Sequence, residues 1–166
     1  MLAISLASIA PALEGQTPAT TLTASDIDRL TGTDWTGSLE YRDYTTNKQT
    51  TIRSTLLFTR LPARTDGASA WDMRVGYNDE PNENSRDTVL LSPDGRTFHG
   101  QRLIERGELS DGTLRFVTEQ DGQDNSRSAR FQFVYLLDAS TVSIQKLVRY
   151  AESEPFAERH TYRWAR

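Results

Sequence analysis

Residues 71–77 read Trp-Asp-Met-Arg-Val-Gly-Tyr, and this stretch decides the predicted fold class. Large side chains occupy every second position and alternate with polar or small ones, which is the period of a β-strand with one buried face. Working outward from it, the same alternation occurs on both sides, at residues 35–42, 52–58, 113–118, 131–137, 141–150 and 156–164. The sequence therefore predicts an all-β domain.

Short turns separate these strands. Ser92-Pro93-Asp94-Gly95 places Pro and Gly where a tight reversal needs them, so residues 96–109 are predicted to return as a hairpin partner. Residues 78–86 and 121–126 are polar and are predicted to be loops. No segment provides a helical crossover between parallel strands.

The strand count and the turns together predict an antiparallel up-and-down β-barrel of about eight to ten strands. A flat meander of that length would leave two exposed edges, whereas closure removes both. A two-sheet sandwich is the alternative, because alternation alone does not separate it from a barrel.

The N-terminus divides into three parts. Residues 1–12 form a short apolar stretch with small residues at its end, which predicts a signal peptide, although the usual positive charge at the start is missing. We expect an exported protein, periplasmic or secreted; an N-terminal extension of the folded domain is the alternative. Residues 13–24 are predicted to be a linker and residues 25–166 the barrel domain.

A single short helical turn opens this domain. Ser25 is in position to cap it, Asp28 lies where the acid of a capping box would lie, and Gly32 can end it in a left-handed conformation. The predicted fold is thus a barrel with one short N-terminal helical turn.

Composition excludes several functions. The sequence has no cysteine, which removes thiolate zinc sites and cysteine nucleophiles, and its net charge of −4 argues against a nucleic-acid partner. After the N-terminus no apolar run approaches the length of a membrane span. The two histidines, His99 and His160, lack metal-ligand spacing. The loops at residues 78–84 and 121–125 contain acidic residues, but neither has the glutamate that ends a calcium-binding loop. We predict no metal, no cofactor and no catalytic set; the oligomeric state stays open.

The segment Leu30-Thr31-Gly32-Thr33-Asp34-Trp35 resembles the opening of lipocalins and the wider calycin group, in which a helical turn and a glycine precede a tryptophan on the first strand. Here two residues separate Gly32 from Trp35, where the family has one. The resemblance implies that Trp35 crosses the barrel floor and that an arginine from the final strand packs over it; the end of that strand, residues 159–166, supplies candidates. It also implies an interior that accommodates a ligand.

Aromatic and basic side chains are the candidate ligand-binding residues. Aromatic residues on the alternating faces are expected to line a cavity or to fill the core. Arginines of the last two strands either meet an anionic head group inside the barrel or form cross-strand ion pairs on a solvated face. The predicted ligand-binding residues are Trp35, Tyr41, Trp71, Tyr77, Arg149, Arg159 and Arg163.

These features favour a non-enzymatic, exported, lipocalin-like domain that binds a small hydrophobic or anionic amphipathic molecule in the barrel interior. One alternative is an envelope interaction or structural module with a filled barrel. The other is an enzyme that uses a histidine on the barrel rim, which requires His99 or His160 to lie in a pocket within reach of an acid.

Overall fold

The computed structural model describes residues 21–32, 35–43, 46 and 48–166. The predicted signal peptide and residues 13–20 of the predicted linker lie outside the described residues. The described elements are one short helix, one 3-10 turn and ten strands. They are α1 (Ala24–Asp28), β1 (Trp35–Arg42), β2 (Gln49–Arg60), β3 (Ser69–Tyr77), a 3-10 turn (Pro81–Glu83), β4 (Ser85–Leu91), β5 (Thr97–Phe98), β6 (Gln101–Glu108), β7 (Leu114–Asp124), β8 (Arg127–Leu137), β9 (Thr141–Arg149) and β10 (Ala157–Ala165).

The ten strands form one closed antiparallel barrel. Each strand is hydrogen-bonded to the strand that precedes it and the strand that follows it in the chain, and β1 pairs with β10 to close the ring. Leu39 of β1 lies between Ile52 of β2 and Tyr162 of β10 in register. The predicted all-β up-and-down barrel is confirmed, and the sandwich alternative is wrong. Within the described residues, no helix has the length and apolarity needed to cross a membrane.

The return strand predicted over 96–109 is broken in two. His99 and Gly100 both have positive φ angles, 51° and 77°, and separate the two-residue β5 from β6. Two successive left-handed residues make a tight reversal that matches the twist of a hairpin. The chain therefore turns twice here, after β4 and again after β5, where the alternation predicted one strand.

The loop predicted over residues 121–126 is also wrong. β7 continues to Asp124 and β8 begins at Arg127, so that Asn125 and Ser126 alone form the turn, with φ angles of 49° and 63°. Alternation of apolar and polar residues reveals a strand only where one face is buried. This segment is polar on both faces, so its composition predicts a loop although its backbone is paired. The end of this hairpin is held by backbone pairing, such as Gln123 to Ser128, and most of its residues face solvent.

The short β5 leaves part of the barrel wall incomplete. β5 pairs with β4 at one residue pair, Leu91 with Phe98, and the pairing of β6 with β7 reaches no farther than Glu119. Residues 85–88 of β4 and 120–124 of β7 therefore have no strand partner on this side of the sheet within the described part of the chain. We call this interruption of the strand pairing the β4–β7 gap.

The helix α1 begins two residues earlier than predicted. Thr23, and not Ser25, is the N-cap: its hydroxyl accepts from the Asp26 backbone N–H, and the Thr23 N–H donates to the Asp26 carboxylate at 2.8 Å. Leu22, inside the predicted linker, is 3% exposed and belongs to the main core. Gly32 has the predicted left-handed conformation, with a φ of 87°.

The closed end of the barrel follows the lipocalin-like resemblance. Trp35 is fully buried, and its indole N–H donates to the Leu30 carbonyl at 3.0 Å. The guanidinium of Arg166, the residue after β10, lies 4.4 Å from the centre of the Trp35 ring. A cation over an indole face at this distance is stabilising. Trp35 therefore forms the floor, with an arginine from the C-terminus beneath it.

Candidate ligand cavity

An internal cavity of about 330 Å3 lies above this floor. Seventeen residues line it, and most are apolar or aromatic. They come from nine of the strands, β2 to β10, from the segment after α1 and from the β5–β6 turn. Its wall consists of Leu30, Leu56, Phe58, Met73, Val75, Ser85, Val89, Phe98, His99, Gln101, Gln120, Phe133, Tyr135, Ile144, His160, Tyr162 and Trp164. The strands bring these residues together because alternate side chains of a closed sheet share one interior.

The floor side of the cavity is apolar. The Trp164 indole N–H donates to the Ser54 hydroxyl at 3.0 Å, so its one polar atom is satisfied within the wall. Tyr162 stacks on Trp164, with ring centres 4.7 Å apart, and its hydroxyl lies 2.5 Å from that of Tyr77. Burial, with the hydrogen bond to Tyr77, raises the pKa of Tyr162, which keeps this phenol neutral. The surface here is therefore suited to an apolar group.

One buried polar cluster interrupts the apolar wall. Gln101 is 4% exposed, and its side-chain carbonyl accepts from the hydroxyls of Thr118 and Tyr135. Burial raises the pKa of Tyr135, although the contact with Thr118 opposes this. Both hydroxyls therefore remain donors at neutral pH.

His160 is a neutral group in the cavity wall. Burial lowers its pKa to about 4, and the nearby charges of Lys146 and Arg159 act in the same direction against a smaller opposing effect of Glu158. The imidazole edge packs against Tyr162, with ring centres 5.5 Å apart. At pH 7 this histidine is an uncharged hydrogen-bonding group.

His99 lies at the rim of the cavity beside the β4–β7 gap. Its Nε2 is 3.4 Å from a carboxylate oxygen of Asp87, and its side chain is 29% exposed. His99 therefore lies in the pocket with an acid nearby, at a separation longer than the roughly 2.6–3.2 Å of a catalytic hydrogen bond, and the enzymatic alternative stays a prediction. In the part of the chain that the structure describes, no group of three or more acidic or histidine side chains is placed to hold a metal ion.

The four aromatic residues predicted to bind ligand lie around the cavity rather than in its wall. Trp35 lies in the floor, and Trp71 is fully buried, stacks on Phe58 at 6.0 Å and donates to Asp28 at 2.9 Å. Tyr77 reaches the interior through its bond to a wall residue, Tyr162. Tyr41 borders a surface groove at the far end of β1.

The three predicted arginines form ion pairs. Arg163 pairs with Glu40 at 2.6 Å, and Arg149 pairs with Glu152 at 2.8 Å. Arg159 lies 3.4 Å from a carboxylate oxygen of Asp124. The cavity wall contains none of the three. Ligand binding by all seven predicted residues stays a prediction.

Sequence reasoning missed several residues that do line the cavity. Alternation places His160, Tyr162 and Trp164 on one face of β10, but it does not tell whether that face points into the barrel or toward solvent. The burial of Trp164, 3% exposed, shows that the face points inward. Gln101 carries no signal in the sequence, because a lone glutamine after a turn is typical of an exposed strand.

No protein-family model matches the chain, and no curated protein matches it. Among solved structures, it is similar to the S-type phycobiliprotein lyase CPES from Guillardia theta, with a TM-score of 0.49 and 10% identity over 87% of this chain and 93% of that chain. A likeness this distant says nothing about ligand or activity. The strand order and the cavity define the class of this protein: a closed ten-strand antiparallel barrel with an internal cavity.

Proposed function

We propose that this protein is an exported, non-enzymatic, lipocalin-like barrel that binds a small hydrophobic or amphipathic molecule in its interior. The observation that carries the proposal is the apolar cavity of about 330 Å3 inside the closed sheet. Its volume lies at the lower end of the range of small-molecule sites, and ligand sites are typically apolar with a few convergent polar groups.

The distribution of polar atoms supports an amphipathic ligand. Trp164 and Leu30 give the floor side an apolar surface. His160 lies four residues from Trp164 along β10, which is about 13 Å of extended chain. Gln101 uses its carbonyl for Thr118 and Tyr135, so its amide N–H groups are the donors that it offers to a ligand. A ligand with an apolar tail and a polar head matches this cavity, because its tail can lie against the apolar floor side and its head against His160 and Gln101.

The β4–β7 gap supplies a route into the cavity. Ser85 lies on its β4 side, Gln120 on its β7 side and His99 at the turn below it, and all three also line the cavity. A ligand that enters between these unpaired parts of β4 and β7 does not have to displace the helix and Trp35 at the floor.

Replacing Ile144 with tryptophan tests this function, because the larger ring occupies cavity space. With decan-1-ol as the probe, the wild-type protein is expected to gain stability with the logarithm of the ligand concentration, about 2.7 kcal/mol at a hundredfold excess over Kd. Ile144→Trp is expected to stay folded and to lose that gain.

Leu147→Trp is the matched control, because residue 147 lies on the opposite face of the same strand, β9. It should respond to decan-1-ol as the wild type does. Equal stabilisation of both tryptophan variants would place binding on the outer surface and contradict the proposal. No stabilisation of the wild type by decan-1-ol or decanoate would favour an interaction module instead.

Export is a separate part of the proposal and needs its own measurement. The apolar segment at residues 1–12 supports it. Intact mass of the protein isolated from its native host is expected to show cleavage near residue 12. Cytosolic protein that retains Met1 would contradict export and leave ligand binding untouched.

A further inference from the structure

Lys146 is half-buried on the inward face of β9, beside the cavity wall rather than in it. It shares that face with Val142 and Ile144, four and two residues before it. Its ammonium nitrogen lies 4.1 Å from the centre of the Phe131 ring and 5.8 Å from that of Phe133. These rings stabilise a cation by their faces but supply no counter-charge.

No carboxylate pairs with Lys146 within 4.0 Å among the described residues. In every ion pair of the described residues, the basic partner is an arginine or His99. Asp124 is the acid that acts on Lys146 at longer range. Its carboxylate already accepts a hydrogen bond from the Tyr150 hydroxyl at 2.6 Å and lies 3.4 Å from the Arg159 guanidinium. Burial lowers the pKa of Lys146; Arg159 adds to this, and Asp124 opposes it.

The position of Lys146 connects it with the cavity. In register it lies between Phe133 of β8 and His160 of β10, both of which form the cavity wall. Facing side chains of paired strands are about 5 Å apart at their Cβ atoms. His160 carries no charge at neutral pH, and the cations that act on it are Lys146 and Arg159. Arg159 lies 3.4 Å from a carboxylate oxygen of Asp124, whereas the Lys146 ammonium lies beside aromatic rings.

We propose that Lys146 binds the anionic head group of the ligand, a carboxylate, while the apolar tail extends along β10 toward Trp164. This deepens the proposed function and rests on it. A charged amine in apolar surroundings gains most from a direct, charge-assisted hydrogen bond, because little water competes for it. A neutral head group forms only a weaker hydrogen bond with the ammonium, and a cationic one is repelled by it.

Calorimetric titration with three probes of equal chain length tests the charge preference. Decanoate is expected to bind the wild-type protein at least about tenfold more tightly than decan-1-ol, and decylammonium more weakly than both. In Lys146→Met, decanoate and decan-1-ol should bind with affinities within about twofold of each other. Lys146→Arg keeps the cation and should keep the preference for decanoate.

The other lysine of the sequence provides the control. Lys48 is exposed, so Lys48→Met should bind all three probes as the wild type does. Equal affinity of the wild type for decanoate and decan-1-ol would overturn the head-group assignment and leave the binding barrel standing. A preference that survives in folded Lys146→Met would assign the anion to another residue. Failure of every probe to bind would overturn the proposed function itself.

Discussion

His160 makes the stability of the barrel depend on pH, and His160→Gln is expected to remove that dependence. An unfolded histidine takes up its proton near pH 6.5, whereas burial holds the folded pKa of His160 at about 4. Below pH 6.5 the unfolded chain therefore binds more protons than the folded one, and the free energy of unfolding falls. The contribution is complete above pH 6.5 and is lost as the pH drops toward 4.

The size of the effect follows from the two pKa values. Each pH unit between them corresponds to about 1.4 kcal/mol, which gives about 3 kcal/mol in all and about 2 kcal/mol after allowance for water in the adjoining cavity. Between pH 7.0 and pH 4.5, the wild type should lose about 2 kcal/mol more than His160→Gln. Carboxylates that titrate in this range are common to both proteins and cancel in the difference.

Urea unfolding followed by tryptophan fluorescence at pH 7.0, 5.5 and 4.5 measures this difference. His99→Gln is the control and should keep the wild-type pH dependence, because His160 is intact. Parallel pH profiles for the wild type and His160→Gln would refute the reasoning. So would a proton resonance of the folded His160 ring that titrates near pH 6.5.

Two further substitutions test the floor and the β7–β8 turn. Arg166→Ala removes the cation over Trp35 and should lower the free energy of unfolding by about 1 kcal/mol; an unchanged urea midpoint would mean that this contact contributes nothing. Ser126→Gly should raise stability by about 0.5 kcal/mol, because relief of the left-handed conformation at φ 63° exceeds the added entropy of the unfolded chain. A loss of stability would indicate that the turn does not strain Ser126.

Much of the fold is predictable from the sequence for a physical reason. Residues 71–77 alternate because one side of β3 packs in the core, and closure follows because a meander needs partners for both of its edges. The resemblance at residues 30–35 implied an arginine beneath Trp35, and Arg166 occupies that place.

The cavity wall was harder to predict because alternation defines two faces without giving their direction. On β9 one face carries Ile144 and Lys146 and the other carries Gln145 and Leu147, so each has one apolar and one polar residue. Register with β8 and β10 decides the matter, and register depends on partners far away in the chain. The β4–β7 gap was unpredictable because it arises from the short β5, and the alternation over residues 96–109 predicts one long strand there.

The three tryptophans offer a direct test of the claim that the interior holds a ligand. Trp164 lines the cavity, whereas Trp35 lies in the floor and Trp71 donates its indole N–H to Asp28. In a titration with decan-1-ol, followed through the indole N–H resonances, that of Trp164 is expected to shift most and to saturate. Saturating shifts confined to Trp35 or Trp71, or none at all, would contradict an internal binding site.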